Sequence, residues 1–325
     1  MTKFSLSLYL LSHLFVSCWS KAQENYLNYH SKVILCEQLI AEGKSASAID
    51  MFDSLFNQFD FLFLRDIKVA TELSVYVNDY ESSLKFIKLG IMAGWTLKSI
   101  NKNDNLRPLT EHLEWVKILY VYDSLHSNYL SGLNFQVKEQ AHEMFKKDQK
   151  KALGALIRIG QNAQIKYAEN KFAPHSEKQL QMLDNLLYQY GYPGEQLIGN
   201  RLWVSVILSH HNSISPDYCS KDTLYEQLRP KLLEAMKQGE MSPYELAQIE
   251  DWRTAVLTGH ELSSFGFIGK IPSIPELKMV NYNRAEIGLR SIELRNKLID
   301  IEKSTGLNLY LPKGWQKGKI TVANK

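Results

Sequence analysis

The histidine pair His210 and His211, at the end of the apolar run SVILSHHNS, is the sequence feature most suggestive of chemistry. If the run is helical, His211 lies on the same apolar face as Trp203, two turns earlier, and points inward. An imidazole whose tautomer is fixed by a carboxylate can act as a general base, and Asp251 or Glu250 could supply that carboxylate. The alternatives are a metal ligand, or a histidine without a chemical role at a helix C-terminus, where the helix dipole favours positive charge.

Two further charged side chains extend this hypothesis to four candidate catalytic residues, His211, Asp251, Asp148 and Arg253. Arg253 could hold a carboxylate or phosphate group of a substrate by paired hydrogen bonds. The simpler interpretation is an exposed ion pair with Glu250, three residues earlier on the same predicted helix. Asp148 lies in the charged run KKDQKK, a pattern typical of a solvated helix face, so a chemical role is one of two interpretations.

The common fingerprints of hydrolases, metal enzymes and nucleotide-binding proteins are not found in the sequence. There is no HExxH, no GxSxG and no glycine-rich phosphate loop after a strand. Histidines such as His142 and His260 are scattered singly and do not have the spacing of a metal site. We therefore predict no metal and no cofactor, although helix bundles can assemble carboxylate and histidine centres from distant segments.

The composition is that of a globular protein. Hydrophobic residues make up 45% and charged residues 22% of the 325 residues, which argues against a disordered chain. A chain of this length usually forms two domains. The formal net charge of +3, with no basic stripe, gives no reason to expect nucleic acid as a partner.

The first 22 residues have the pattern of a secretory signal peptide. A positive charge precedes the apolar run FSLSLYLLSHLFVSCW, and SKA at residues 20–22 gives a small-x-small cleavage site. The sequence thus predicts an exported protein, periplasmic or extracellular. One alternative is a buried N-terminal helix. Another is a lipobox-like motif at residues 15–18, in which lipidated Cys18 would anchor the chain to a membrane.

The remaining cysteines, Cys36 and Cys219, would then lie in an oxidising compartment. They could pair with each other. Two cysteines do not form a disulfide framework, and they lack the close spacing of zinc ligands.

Residues 23–131 show helical periodicity with a weak internal repeat. The segments EGKSASAIDMFDSLF (42–56) and VNDYESSLKFIKLGI (77–91) superpose at an offset of 35 residues, with a small residue at Ala48 or Ser83. A helix, a turn and a second helix at this period resemble tetratricopeptide repeats. The resemblance implies a surface that binds a protein or peptide partner. The alternative is an unrelated helical bundle.

The break at Ser131 and Gly132 predicts a boundary before a second helical domain. We assign residues 132–312 to that domain and residues 313–325 to a basic tail. Its predicted elements are a long helical stretch that ends near Pro174, a helix with the two histidines from about Glu195, a helix that starts at residues 242–245, and a last helix over residues 283–304. The predicted fold class is all-α, with tetratricopeptide-like helical hairpins followed by a C-terminal helical domain.

Six short segments of the second half occur in an order that resembles a known family. They are KKDQKK (146–151), YGYPGEQLIG (190–199), ILSHHN (207–212), LAQIEDWR (246–253), SSFGF (263–267) and NRAEIGL (283–289). Together they resemble the bacterial family called domain of unknown function 6624, over roughly residues 135–311. That family is common in secreted proteins and is often attached to helical repeats. The resemblance implies a set of candidate positions and no particular activity.

The first family motifs fall on the residues singled out above. The family's aspartate-glutamine pair matches Asp148 and Gln149. Its glutamine-histidine pair falls on His210 and His211, of which only the second matches.

The later motifs depart further from the family. The aspartate-arginine pair falls on Asp251, with Arg253 displaced by one position, and Phe265 replaces the tyrosine of a glutamine-x-tyrosine-glycine turn. The glycine and proline turns are kept. From these positions we take four candidate substrate-binding residues, which are Gln149, His210, Glu250 and Phe265.

The leading functional prediction is an exported binding or scaffold protein, with helical repeats for a protein or peptide and a polar pocket in the second domain. The alternative is an extracytoplasmic hydrolase or acid–base enzyme. The enzyme requires His211, Asp148 and Asp251 to converge in one cleft. A membrane is a predicted partner only if Cys18 is lipidated.

Overall fold

Every regular element in the computed structural model is a helix within the residues it describes, 25–312 and 318–322. The predicted all-α fold class is thereby confirmed. The predicted signal peptide, Cys18 and most of the predicted basic tail lie outside the described residues. In the described part of the chain, no helix is long and apolar enough to cross a membrane.

The N-terminal half of the chain is built from helical hairpins. Its helices are α1 (Tyr26–Ala41), α2 (Ser45–Phe56), α3 (Leu64–Tyr76), α4 (Tyr80–Met92), α5 (Leu97–Asn101), α6 (Arg107–Thr110) and α7 (Trp115–Ser131). α1 packs against α2, α3 packs against both α2 and α4, and α7 packs on α4. The small residues Ala48 and Ser83 are both fully buried, and Gly43 and Asn78 turn the two hairpins with φ of 73° and 61°. The hairpins are observed, and their assignment to tetratricopeptide repeats stays a prediction.

The C-terminal half surrounds a second core. Its helices are α8 (Phe135–Leu156), α9 (Gln161–Tyr167), α10 (Ala173–Tyr190), α11 (Glu195–Ile198), α12 (Trp203–His211), α13 (Pro216–Lys221), α14 (Leu224–Lys237), α15 (Pro243–Leu257), α16 (Ile274–Glu286) and α17 (Ile292–Thr305). A π-helical turn at residues 168–172 joins α9 to α10, so Pro174 lies in the first turn of α10 and does not end a helix. α12 packs against α8, α10 and α15, at the centre of this half.

The long helical stretch predicted to end near Pro174 is broken between α8 and α9, where Gly160 adopts a φ of 89°. Two further predicted helices of this half are interrupted. The helix predicted from Glu195 stops after α11, because Gly199 adopts a φ of 81° and approaches α7 so closely that a Cβ would lie 2.2 Å from Tyr129 Oη. The helix predicted over residues 283–304 is divided into α16 and α17 by a turn at Gly288, with a φ of 74°. The prediction of an uninterrupted helix is wrong at both places, because the helix ends where its backbone lies close to a distant segment of the chain.

The last described helix returns to the N-terminal half. α17 packs on α1, and the residues that complete the N-terminal core include Leu294, Leu298, Ile299, Leu307, Leu309 and Leu311. Arg65 Nη2 on α3 donates to the backbone oxygen of Leu309 at 3.0 Å, and Glu72 Oε2 accepts from the Asn308 N–H at 3.0 Å. The last helix and the segment after it therefore belong to the N-terminal core, and the boundary at residues 131 and 132 stays a prediction.

Both described cysteines are buried as free thiols. Cys36 lies in α1 and Cys219 lies in α13, and no disulfide joins them. Burial raises the pKa of both thiols, which keeps them protonated and unreactive.

Candidate functional site

α12 directs its two histidines to different neighbours. Ile207, Leu208 and His211 are fully buried between α8, α10 and α15. The predicted inward orientation of His211 is confirmed, and its ring lies edge-on to Tyr218 at 5.5 Å. The His210 side chain is turned toward α8 and remains 32% exposed.

The His211 imidazole lies at the centre of a buried hydrogen-bond network. Its Nε2 lies 3.1 Å from Asp222 Oδ2, and its Nδ1 lies 2.9 Å from Ser176 Oγ. Because an ionised carboxylate only accepts, Nε2 donates to Asp222, and in the neutral imidazole Nδ1 accepts from the serine hydroxyl. Arg253 Nη1 donates to the same Asp222 oxygen at 3.4 Å. Burial alone would raise the pKa of the Asp222 carboxyl, but the hydrogen bond from His211 lowers it below its ordinary value.

The serine, histidine and aspartate have the connectivity of a hydrolase triad, but Ser176 has no access to a substrate. Ser176 and His211 have no exposed surface. A nucleophile must contact the reacting atom, and Ser176 has no surface through which it could do so. The network therefore has a structural role, in which it joins α10 and α12 to the start of α14. The carboxylate that contacts the His211 ring belongs to Asp222. The prediction that Asp251 or Glu250 supplies this carboxylate is wrong.

Glu250 and Arg253 have separate partners. Glu250 Oε1 accepts from Tyr225 Oη at 2.6 Å and from Arg229 Nε at 2.8 Å. Arg253 Nη2 pairs with Glu226 at 2.9 Å, and its guanidinium lies 5.5 Å from the centre of the Tyr225 ring. The predicted ion pair between Glu250 and Arg253 is therefore not formed, and both side chains brace α14 against α15.

Asp251 contacts neither histidine. It is fully buried and accepts the backbone N–H groups of Phe265 at 2.7 Å, Phe267 at 2.6 Å and Ile268 at 3.2 Å, together with the Ser263 hydroxyl at 3.0 Å. Burial raises the pKa of this carboxyl to about 6, and these hydrogen bonds act in the opposite direction. Asp251 thus fixes the loop at residues 263–268, and Phe265 is buried in that loop.

The more exposed site pairs His210 with Asp148. His210 Nδ1 lies 2.6 Å from Asp148 Oδ2, and the Asp148 side chain has no exposed surface. The predicted solvated face is wrong at this residue, because α8 turns it toward α12. Gln149 Nε2 makes a longer contact of 3.4 Å, and the buried Asp148 Oδ1 has no hydrogen-bond partner in the described part of the chain. A buried carboxylate that orients a partly exposed imidazole is the arrangement of a general base.

His175 and Gln179, one turn apart on α10, border this pair. Gln179 Nε2 donates to a backbone carbonyl of α8 at 3.2 Å and lies 3.2 Å from His175 Nε2. The Phe172 ring lies 6.3 Å from the rings of both His175 and His210. Burial lowers the pKa of His175, while the charge of Asp148 acts in the opposite direction. We call Asp148, His175, Gln179 and His210 the Asp148 cluster.

Sequence reasoning missed Asp222, His175, Ser176 and Gln179. Three of them are polar residues on one helix, α10, at inward positions among apolar ones, and this pattern could have indicated a buried polar network. Asp222 lies just before α14 and accepts from the Leu224 N–H at 2.9 Å, so its local signal is that of a helix cap. Its contact with His211 depends on tertiary packing.

A second candidate site is an open cleft of about 370 Å³ between the helices α3 and α4, the end of α7 and the start of α11. We call it the junction cleft. Its lining includes apolar side chains, two amides and two carboxyl groups, namely Phe61, Leu62, Met92, Tyr129, Leu133, Asn128, Gln196, Asp60 and Glu195. No lysine, arginine or histidine of the described residues lines it. The junction cleft is therefore apolar with acidic character.

Among residues 25–312 and 318–322, no group of three or more histidine, cysteine, aspartate or glutamate side chains is arranged to hold a metal ion. Comparison of the chain with protein-family models, with curated proteins and with solved structures finds no match. Function is therefore inferred from the residues of the Asp148 cluster and the junction cleft.

Proposed function

We propose that this protein is an exported helical binding protein, and that its junction cleft holds a segment of a protein or peptide partner. The observation that carries the proposal is the junction cleft itself. Its volume of about 370 Å³ lies within the range of ligand sites, and its lining combines apolar walls with a few polar groups. Helical hairpins placed side by side are also a common framework for peptide-binding surfaces.

Several apolar side chains of the cleft retain exposed surface. Met92 is 44% exposed, and Phe61, Leu62 and Tyr129 are half-buried. A partner side chain that covered them would be stabilised by roughly 25 cal/mol for each Å² of apolar surface removed from water. Aromatic and aliphatic groups in such a depression are typical anchors of an interface.

Export is the second part of the proposal. It is supported by the signal-peptide pattern of residues 1–22, which would direct the mature chain to the periplasm or out of the cell. Attachment to a membrane follows only if Cys18 is lipidated.

Membership in the family called domain of unknown function 6624 is a further proposal. Its support is that the motif segments, distant in sequence, contact one another. KKDQKK meets ILSHHN through Asp148 and His210, and LAQIEDWR meets SSFGF through Asp251. NRAEIGL also meets SSFGF, because Arg284 Nη1 donates to the backbone oxygen of Phe265 at 2.5 Å. Such contacts are expected if the motifs form one structural unit.

The replacement Met92→Glu is expected to weaken peptide binding at the junction cleft by about tenfold or more, because it buries a charge against an apolar ligand. Peptides would be selected from a displayed random 12-residue library on the protein from residue 23 onward. Their affinities for each variant would then be measured by fluorescence anisotropy.

The matched control is Leu119→Glu on α7. Leu119 is 48% exposed, close to the 44% of Met92, and it does not line the cleft. This variant is expected to bind within twofold of the wild type. An equal loss in both variants, or no loss in Met92→Glu, would contradict the proposed site.

An acid–base enzyme is the second candidate function, and the observation that favours it is the pair of Asp148 and His210. The candidate set His211, Asp251 and Arg253 does not converge with Asp148 in one cleft. His210 alone combines a buried orienting carboxylate with an exposed edge. The lysines around Asp148 would favour an anionic substrate, such as a carboxylate or phosphate ester.

If the pair is catalytic, His210→Gln is expected to lower kcat/KM by about 100-fold or more, as for loss of a general base. The assay is hydrolysis of a panel of p-nitrophenyl esters, phosphates and glycosides between pH 5 and pH 9. Ser176→Ala is the control and is expected to leave the rate unchanged, because Ser176 is buried. Loss of turnover in Ser176→Ala but not in His210→Gln, or no turnover with any substrate, would count against this candidate.

A further inference from the structure

Glu195 lies between the junction cleft and a second, smaller cavity. It lies at the start of α11 and lines both the cleft and a cavity of about 60 Å³ between the two halves. The far side of that cavity is lined by His30, Glu37 and Arg65. Glu195 Oε1 accepts from the Leu64 N–H at 2.7 Å, which holds the carboxyl group at the first turn of α3.

The Glu195 carboxyl has no ionic partner in the described part of the chain. No ion pair joins it to a lysine, arginine or histidine there, and Lys68 is the cation whose charge lowers its pKa. Lys68 Nζ lies 5.3 Å from the centres of both the Trp95 and Tyr310 rings, so it is engaged elsewhere. A partly buried carboxyl group without a counter-ion is a favourable place for a ligand cation.

The other titratable groups around Glu195 make its ionised form unfavourable. Burial is the largest effect, and the negative charges of Glu245 on α15 and Asp66 on α3 act in the same direction, against Lys68. Tyr29 on α1 and Tyr129 on α7 also lie within its electrostatic reach. Burial and the charges of Glu245 and Asp66 outweigh the hydrogen bond from the Leu64 N–H and the charge of Lys68, and they raise the pKa of Glu195 to about 8. The carboxyl is thus mostly protonated at neutral pH until a cation arrives.

The rest of the cleft fits one class of ligand. Apolar walls at Leu62 and Met92, the Tyr129 ring and a second carboxylate at Asp60 suit a cationic group carried on an apolar stem. Lysine and arginine side chains have this form. An acidic ligand would meet two carboxyl groups and no cation among the described residues that line the cleft.

We infer that Glu195 is the subsite for a lysine or arginine side chain of the peptide held in the junction cleft, next to an apolar residue, and that binding releases a proton. The inference rests on the proposed function. On binding, the carboxylic acid gives its proton to solvent and the resulting carboxylate pairs with the ammonium or guanidinium group, whose charge does not change.

The test begins with parallel selections from the random 12-residue library on wild type and Glu195→Gln. The amide keeps the acceptor for the Leu64 N–H and cannot ionise. We expect lysine or arginine beside an apolar residue to be enriched by the wild type, and this preference to be lost in the variant. For one selected peptide, acetylated and amidated at its ends, Glu195→Gln should weaken binding by about tenfold at pH 7.

The second measurement uses the wild type alone and does not depend on folding of a variant. Calorimetric titrations at pH 7 in two buffers of different ionisation enthalpy should show release of close to one proton per complex. The affinity should rise by about tenfold between pH 6 and pH 7, because a site with a pKa of about 8 must lose its proton to bind.

The possible results distinguish failure of the Glu195 subsite from failure of the junction cleft as a binding site. Selected peptides without a basic residue, or binding without proton release, would overturn the subsite while leaving the cleft as a binding site. Selected peptides whose affinity is unaffected by Met92→Glu would overturn the cleft as a binding site and the inference with it.

Discussion

Replacement of Asp251 by alanine is expected to lower the free energy of unfolding by about 3–5 kcal/mol, although this residue was predicted from the sequence to be catalytic. Its carboxyl group accepts three backbone N–H groups and one hydroxyl from residues 263–268. Hydrogen bonds to a charged group contribute about 1.5–3 kcal/mol each, and the N–H groups left behind would be buried without partners. The measurement is urea unfolding followed by circular dichroism.

The control for Asp251 is Asp217→Ala. Asp217 is exposed on α13 and pairs with Lys221, so its loss should change the stability by less than about 0.5 kcal/mol. The pH dependence gives a second check. A folded-state pKa raised from 3.8 to about 6 means that the stability contributed by Asp251 is lost as the pH rises through 6. The destabilisation by alanine should therefore be larger at pH 5 than at pH 8, and the opposite order would contradict this account.

A similar loss, about 3–5 kcal/mol, is expected for Glu37→Ala. Glu37 is 1% exposed, and its Oε1 lies 2.7 Å from Arg65 Nη2 and 2.5 Å from Arg290 Nη2, so one carboxylate joins α1, α3 and the turn before α17. Burial lowers the pKa of the neighbouring Arg284 to about 10, and the charges of Arg290 and Arg295 act in the same direction. Removal of Glu37 would leave the buried Arg290 guanidinium without its carboxylate partner, whereas Arg65 would keep Asp66 at 2.8 Å. Thermal and urea unfolding would measure the effect.

Two further variants test the cause of that loss. Glu42→Ala removes an exposed ion pair with Lys44 and should have little effect. The double variant Glu37→Met, Arg290→Met removes one buried charge of each sign and should be less destabilised than Glu37→Ala alone. If the double variant is the less stable of the two, packing of these side chains, rather than an unpaired charge, is the cause.

The sequence predicts those parts of the fold that depend on neighbouring residues. Helix periodicity and local caps gave most helices, and Ser242 caps α15 by accepting the Tyr244 N–H as its sequence indicates. The breaks at Gly199 and Gly288 escaped prediction because each arises where the backbone approaches a distant segment. A Cβ at Gly288 would lie 2.8 Å from the side chain of His30, far away in the sequence.

The candidate site, like the fold, could be predicted from the sequence only where it depends on neighbouring residues. The inward orientation of His211 follows from helical geometry, so it was predictable. Its carboxylate partner was not, because Asp222 reaches it across a turn between helices, while Asp251 is used by a nearby loop. Asp148 lies among lysines in the sequence and is therefore predicted to be solvated. In the structure, α12 packs over it and buries its side chain. Burial is decided by the helix that packs on a residue, which a run of adjacent charges does not reveal.

The return of α17 to the N-terminal core has a consequence for the order in which the protein can fold. The hairpins of residues 25–131 emerge first during synthesis, but Leu298, Ile299 and Leu309 complete their core only when nearly the whole chain is present. Contacts of such long sequence separation raise the contact order, which slows folding. The proposed export would benefit from this delay, because a polypeptide that completes its core late stays unfolded longer and could be carried across a membrane in that state.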